Sequence, residues 1–284
     1  MNRFLLTGMS VAVAAAMGLL ATTPDASAAS AAGTAQARAR AKATAKAAPV
    51  ARMSATQIVE RNVAARGGLQ AWRAVGSLTM TGLIEAGGKK NTALPFVMTM
   101  KRPHKSRFEV RFNEQTAFQV YDGARGWKVR PFLGRDEVEP YTPAEAKSAA
   151  AAAELDGPLV DYASKGTTVQ LVGTEQVEGH GAYVLKLTTK EHAERRVWID
   201  ASSFLELKID GEPRMLDGRM HTVAIYYRDY RKENGLDIPH VLETVVAGVR
   251  PTHKLTIQSV KVNAPTDDAL FAMPQLAMAK TPGR

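Results

Sequence analysis

Between Leu78 and Ile257 the chain alternates apolar and polar residues with a period of two, run after run, with turn signals between the runs. Period two belongs to strands, whose successive side chains point to opposite faces of a sheet. Leu78, Met80, Gly82 and Ile84 share one face of a first strand, and Phe96, Met98 and Met100 one face of a second. Phe108, Val110 and Phe112 alternate with Arg107, Glu109 and Arg111, and Phe118 and Val120 follow. The turn Asp122-Gly123 leads into Trp127 and Val129. Further runs are Val169-Leu171, Tyr183-Leu185-Leu187, Val197-Ile199, Leu205-Leu207-Ile209, Val223-Ile225-Tyr227, Val241 to Val246, and Leu255-Ile257. Glu178-Gly179-His180-Gly181 and Lys232-Glu233-Asn234-Gly235 are turn sequences between strands. About eleven strands with short connections predict an antiparallel meander that curls into a barrel or half-barrel.

Helix signals are few. Ser54-Ala55-Thr56-Gln57 has the form of a capping box opening a helix through Ile58, Val59 and Val63, which Gly67-Gly68 stops. Leu69, Trp72 and Val75 fall at three-residue spacing and predict one or two further turns. Thr142-Pro143-Ala144-Glu145 combines an N-cap, a first-turn proline and a capping-box glutamate ahead of the alanines 149–153. Asp156-Gly157-Pro158 ends that helix. Three helical stretches are too few to cover both faces of a parallel sheet, but enough to cover one open mouth or concave face.

The ends of the chain read differently. Met1-Asn2-Arg3, an apolar run from Phe4 to Ala21 and the small residues Ala26-Ser27-Ala28 read as a secretory signal, with cleavage expected before Ala29. This is favoured over the rival reading of a retained membrane helix because the run is rich in Ala, Gly and Thr and ends in a cleavage site. Residues 1–28 are therefore assigned to a signal peptide, 29–53 to a disordered basic Ala-rich arm, 54–274 to the folded domain and 275–284 to a disordered tail. The whole chain carries +9. The arm holds Arg38, Arg40, Lys42, Lys46 and Arg52 with no acid, and the tail adds Lys280 and Arg284. The domain itself is thus close to neutral. It shows no basic aromatic constellation, so nucleic-acid binding is excluded. The arm reads as a flexible spacer. Its sharper reading is a weak membrane-surface contact with anionic headgroups, on the order of 1 kcal/mol per basic residue. The absence of cysteine excludes disulfides, thiolate catalysis and thiolate-bound metal.

Catalytic signatures are lacking. There is no Gly-x-Ser-x-Gly, no His-Glu-x-x-His and no glycine-rich phosphate loop. The six histidines are scattered, mostly beside turn residues, and read as surface positions. Met98-x-Met100 has the spacing of a soft-metal pair, but strand alternation produces the same spacing. Asp161, Asp200, Asp229 and Asp267-Asp268 lie near turn signals, where aspartate commonly bonds to backbone. No catalytic residue, metal ligand or cofactor is assigned, and the protein is read as not an enzyme. What stands out is a crowd of large apolar side chains on strands that ought to be neighbours. Met80, Phe96, Met98, Met100, Phe108, Val110, Phe118, Val120, Trp127, Val129 and Phe132 are the candidate lining of an apolar cavity. Period-two geometry decides which of them share a face, and Phe118 is the one most exposed to a register change. Adaptable methionine side chains suit a cavity that accepts variable chains.

Several segments resemble a known family. Lys101-Arg102-Pro103-His104-Lys105-Ser106-Arg107-Phe108 is similar to the Lys-Arg-Pro segment of the LolA-type periplasmic lipoprotein carriers. Val120-Tyr121-Asp122-Gly123-Ala124-Arg125-Gly126-Trp127, followed by Pro131-Phe132, is similar to their Asp-Gly-Lys…Trp…Asn-Pro-Phe stretch. Asp156-Gly157-Pro158-Leu159-Val160-Asp161-Tyr162, Trp198-Ile199-Asp200…Phe204-Leu205-Glu206, and Tyr230…Gly235-Leu236…Ile238-Pro239-His240 resemble the longer branch called outer-membrane lipoprotein-sorting proteins. Val262-Asn263…Asp268…Phe271 and Ala64-Ala65-Arg66-Gly67-Gly68-Leu69 fit the same pattern. The resemblance covers nearly all of residues 54–274, and the order of its segments is more telling than any one of them.

The resemblance implies a mainly β fold, an unclosed antiparallel β-barrel with a helical lid, LolA/LolB-like. It implies a periplasmic carrier that shields the acyl chains of lipoproteins, or another apolar lipid ligand, on the way to the outer membrane. The partners it implies are the acylated cargo, an inner-membrane donor complex and an outer-membrane acceptor. A second reading is an envelope-stress sensor of the same fold that acts through a protein partner. The resemblance also assigns Arg102 to lid control: the family's matching arginine bonds to the helical lid and holds it closed. A planar guanidinium suits that task because it bonds several carbonyls at once.

Overall fold

Thirteen strands form one antiparallel sheet, in a computed structural model that describes residues 53–85, 92–131, 134–250 and 252–275. The expected signal peptide, the arm up to Arg52, Phe132 and the tail beyond Gln275 lie outside the described residues. In chain order the strands are β1 (Ser77–Glu85), β2 (Ala93–Lys101), β3 (Lys105–Phe112), β4 (Gln115–Tyr121), β5 (Gly126–Arg130) and β6 (Arg135–Pro140). After a helical interlude come β7 (Thr168–Val177), β8 (His180–Thr188), β9 (Glu194–Asp200), β10 (Glu206–Leu216), β11 (Arg219–Glu233), β12 (Leu236–Val246) and β13 (His253–Val262). The spatial order runs β6 to β1, then β13 back to β7. Two contiguous meanders therefore meet where the first strand pairs with the last. No pairing joins β6 to β7 among the described residues, so the sheet is not closed.

The sheet is strongly curved. Phe96, Met98 and Phe108 from β2 and β3 share one buried cluster with Tyr183, Leu185, Val197 and Ile199 from β8 and β9. These strands are far apart in the spatial order, so the sheet must wrap to bring them together. Helices fill the concavity. In α1 (Ala55–Ala65), Ser54 Oγ accepts from Gln57 N while Gln57 Oε1 accepts from Ser54 N, the reciprocal cap expected from the sequence. Ile58, Val59 and Val63 of α1, and Trp72 of α2 (Leu69–Arg73), enter the core. The second capping box also forms: Thr142 Oγ1 accepts from Glu145 N at the start of α3 (Pro143–Ala152). After α3 the segment 153–166 contributes Leu155, Leu159 and Val160 to the same core.

Three details differ from the sequence expectation. There are thirteen strands rather than about eleven. The twelve alternating runs account for twelve of them; the strand that none covers is β6, an edge strand reading Arg-Asp-Glu-Val-Glu-Pro, which has no apolar alternation to betray it. The run Leu205-Leu207-Ile209 does not present one face. A register shift between Glu206 and Lys208 sends Ile209 into the main core and leaves Leu207 beside Trp198 in a cluster on the other side. His240 is buried rather than on the surface, with Nδ1 3.0 Å from Ile257 O and Nε2 3.1 Å from Glu233 Oε1.

The outer face of the β1–β5 half is crossed by the residues after β13. Asn263 Oδ1 accepts from Gly76 N and Ser77 N, Lys101 Nζ donates to Thr266 O, and Arg107 Nη1 donates to Leu270 O. The crossing ends in a 3-10 turn at Asp268–Phe271, whose Phe271 is buried against Val120 and Trp127.

Candidate functional site

An apolar cavity lies between the curved sheet and the helices. Met80 of β1, Phe96, Met98 and Met100 of β2, and Leu255 and Ile257 of β13 form one wall. Val197, Ile209, Ile238 and Leu242 face them from the other half of the sheet, and Trp72, Leu155 and Pro158 close the roof. Gly82 lets this wall pack tightly. It pairs with Phe96 at a β-bulge against β13, where a Cβ would stand 2.0 Å from Thr256 O. The cavity is about 90 Å³. A sequence rich in cavity-lining methionine predicts a preformed pocket of ~300 Å³ or more, the lower bound for ligand sites. The space between sheet and roof is instead that of a few waters.

Of the eleven candidate lining residues, Met80, Phe96, Met98 and Met100 face the cavity. Phe108 and Val110 lie on the same face of the sheet but are packed into the core beside it, Phe108 with its ring centroid 5.7 Å from that of Phe96. Phe118, Val120, Trp127 and Val129 do not reach the cavity, which corrects the sequence assignment. The reason is register. β3 and β4 are joined by a two-residue turn, Asn113-Glu114, both at positive φ, so Phe112 pairs with Gln115 and Phe108 with Gln119. Even-numbered residues of β3 therefore share a face with odd-numbered residues of β4, and Phe118 and Val120 point outward. Their β5 partners are Val129 and Trp127, which follow them to the outer face. There Phe118, Val120 and Trp127 pack under Phe271, and the Arg107 guanidinium lies 4.9 Å from the Phe118 ring. Phe132 lies outside the described residues.

Arg102 sits between β2 and β3 and reaches the roof. Its Nε donates to Val75 O at 2.7 Å, and its Nη2 donates to Trp72 O at 3.1 Å and to Asp156 Oδ2 at 2.7 Å. The two carbonyls stand at and just beyond the C-terminal end of α2, and Trp72 O also accepts from Val75 N at 3.2 Å. Asp156 is buried in the segment that follows α3 and also receives Lys165 Nζ at 2.6 Å. One guanidinium thus ties the sheet rim to both parts of the roof. A second tie joins the roof to itself: Arg73 Nε and Nη2 donate to the two oxygens of Asp161. That bidentate hydrogen bonding, then the guanidinium's charge, hold the Asp161 carboxyl below its ordinary range.

One end of the cavity is polar, which sequence reading missed: no convergent polar groups were expected there. Arg66, directly after α1, is buried with its guanidinium 4.4 Å from the Trp72 ring centre. Its Nη1 donates to Asp156 O at 3.0 Å and lies 3.3 Å from Glu206 Oε1. Tyr230 Oη donates to Glu206, with O at 3.0 Å and Oε2 at 3.2 Å. Burial first, and the Glu206 charge second, push the phenols of Tyr227 and Tyr230 far up, so both stay neutral hydroxyls. The available signal was the segment Arg66-Gly67-Gly68: Gly67 at φ 115° brings the chain so close to Gly235 that a Cβ would stand 2.5 Å from its carbonyl oxygen. That contact seats Arg66 against the strand hairpin.

An open, curved antiparallel sheet with a helical roof pinned over an apolar interior defines an unclosed half-barrel. A LolA superfamily protein from Nitrosomonas europaea has this structure, with a TM-score of 0.53 at 16% identity over 78% of this chain and 98% of that one. A domain assigned to outer membrane lipoprotein sorting, from Vibrio parahaemolyticus, aligns with a TM-score of 0.49 at 10% identity, over 75% of this chain and 94% of that one. The chain has a LolA-like fold. No protein-family model matches its sequence, and no curated protein does.

Proposed function

We propose that the protein is an exported, non-enzymatic carrier that takes an acyl chain, of a lipoprotein or another lipid, into the cavity beneath its roof. The observation that carries this is the pairing of an apolar wall of Met80, Phe96, Met98 and Met100 with a roof whose two parts Arg102 ties to the rim of the sheet. A storage core needs no such latch. A carrier does, because an open apolar trough on a soluble protein is an aggregation hazard. Closing the roof in the empty state keeps those side chains out of water, and an entering chain replaces the roof's apolar contacts with its own. The LolA-like fold supports the reading, since its named relative shares the half-barrel. The signal peptide, the arm and the periplasmic location belong to the same proposal, with delivery running from an inner-membrane donor to an outer-membrane acceptor.

Native mass spectrometry of the protein purified from the periplasm tests it. The expected result is co-purification of an acylated species that leaves on mild unfolding. Protein that is ligand-free from the periplasm and fails to bind a fluorescent acyl probe in vitro overturns the proposal.

A further inference from the structure

We infer that the polar end of the cavity binds the carbonyl oxygen of an ester or amide, so that the cargo is an esterified or amide-linked acyl chain and not a free fatty acid. This rests on the reading of the cavity as an acyl site. Two donors at that end lack protein acceptors. Arg66 is about nine-tenths buried, and its Nε–H has no hydrogen-bond partner among the described residues. Tyr227 lines the same cavity, and its hydroxyl makes no hydrogen bond to any described residue. A buried N–H without an acceptor is rare in a folded protein, and a ligand oxygen at that point removes the penalty.

The charge balance decides which oxygen fits. Arg66 is matched by Glu206 at 3.3 Å, and Glu206 is held further by Tyr230. The cluster is therefore neutral as it stands. A carboxylate or phosphate entering it meets the Glu206 carboxylate with no unmatched cation, and drawing Arg66 away leaves Glu206 buried without its partner. A carbonyl asks only for donors. It brings lone pairs and no charge, and it can accept from Arg66 and Tyr227 together while the pair with Glu206 persists. The remaining lining, Met98, Leu242 and Ile257 among it, is apolar and suits the chain attached to that carbonyl.

The test is displacement of a fluorescent acyl probe from the mature protein by methyl laurate, laurate at pH 8 and dodecane. Three ligands of one chain length separate the chain from its head. Methyl laurate is expected to compete about tenfold better than either of the others, the size of one hydrogen bond to a charged donor. Tyr227→Phe removes a hydroxyl that no described residue uses, so it folds. It is expected to cost methyl laurate several-fold in affinity and leave dodecane unchanged. Arg66→Lys, which keeps the charge beside Glu206 but lacks Nε, is expected to do the same. Laurate equal to or better than methyl laurate overturns the inference, because the site then reads an anion. Equal competition by all three overturns it while leaving the acyl cavity standing. Failure of the probe itself to bind overturns both readings.

Discussion

Replacing Arg102 by leucine removes the latch and leaves the rest of the roof in place. Arg102 makes three hydrogen bonds, two to backbone carbonyls and one to the buried Asp156 carboxylate. Charged hydrogen bonds are worth about 1.5–3 kcal/mol each when well shielded. The Arg102 side chain is 37% exposed, so solvent screening reduces that sum. Asp156 keeps Lys165 and is not left bare. A net loss of about 2 kcal/mol from the closed state is the reasonable value, which is roughly a thirtyfold shift toward open. Apparent affinity for a ligand that needs the open form scales with the open fraction. Arg102→Leu is therefore expected to bind a fluorescent acyl probe up to about thirtyfold more tightly and to hand cargo poorly to an acceptor. Its melting temperature falls by no more than about 8 °C. Arg102→Lys, a point charge without the fork, falls between the two proteins. A folded Arg102→Leu protein with unchanged probe affinity and unchanged release refutes the latch.

Four further outcomes follow from the packing and the charges. Gly82→Ala puts a methyl 2.0 Å from Thr256 O and forces β1 and β13 apart; a loss of about 3 kcal/mol or more is expected in urea titration. Phe271→Ala strips the buried anchor of the C-terminal crossing, with an expected loss of about 3 kcal/mol in the same assay and no effect on acyl-probe affinity once folded. Leu242→Phe narrows the cavity, and is expected to hold stability within about 1.5 kcal/mol while weakening probe binding several-fold. Because the folded Asp161 carboxyl is held below its ordinary value, the Arg73–Asp161 tie is fully present above the unfolded value of about 3.9 and is lost as pH falls through the lower, folded one. Probe uptake is expected to quicken in the native protein only as pH falls below the ordinary carboxylate range, through the lowered folded pKa, and Asp161→Asn is expected to abolish that step.

Most of the sheet was legible because each strand buries one face, and a half-buried strand announces itself by alternation. Both capping boxes were legible for a similarly local reason: three or four adjacent residues contain the whole interaction. Facing was harder. Whether Phe118 shares a side with Phe108 depends on the parity of one turn, and Asn113-Glu114 lacks the glycine that marks a two-residue hairpin. The Glu178-Gly179 and Asn234-Gly235 turns, which have it, were read directly. β6 escaped because an edge strand of charged residues carries no pattern. The polar end of the cavity escaped because Arg66 and Glu206 lie 140 positions apart, and nothing local distinguishes a buried ion pair from two surface charges.

The pairing of the first strand with the last has a consequence for how the chain acquires its shape. Each meander, β1–β6 and β7–β13, is built from neighbours in sequence and can zip locally. Until they join, each carries a long unsatisfied edge, β1 on one and β13 on the other. Joining them closes a loop of more than 150 residues, the slow kind of contact in a folding reaction. It also waits on β13, the last strand to leave the ribosome. A chain whose β13 has not yet been made therefore lacks the seam that completes its interior.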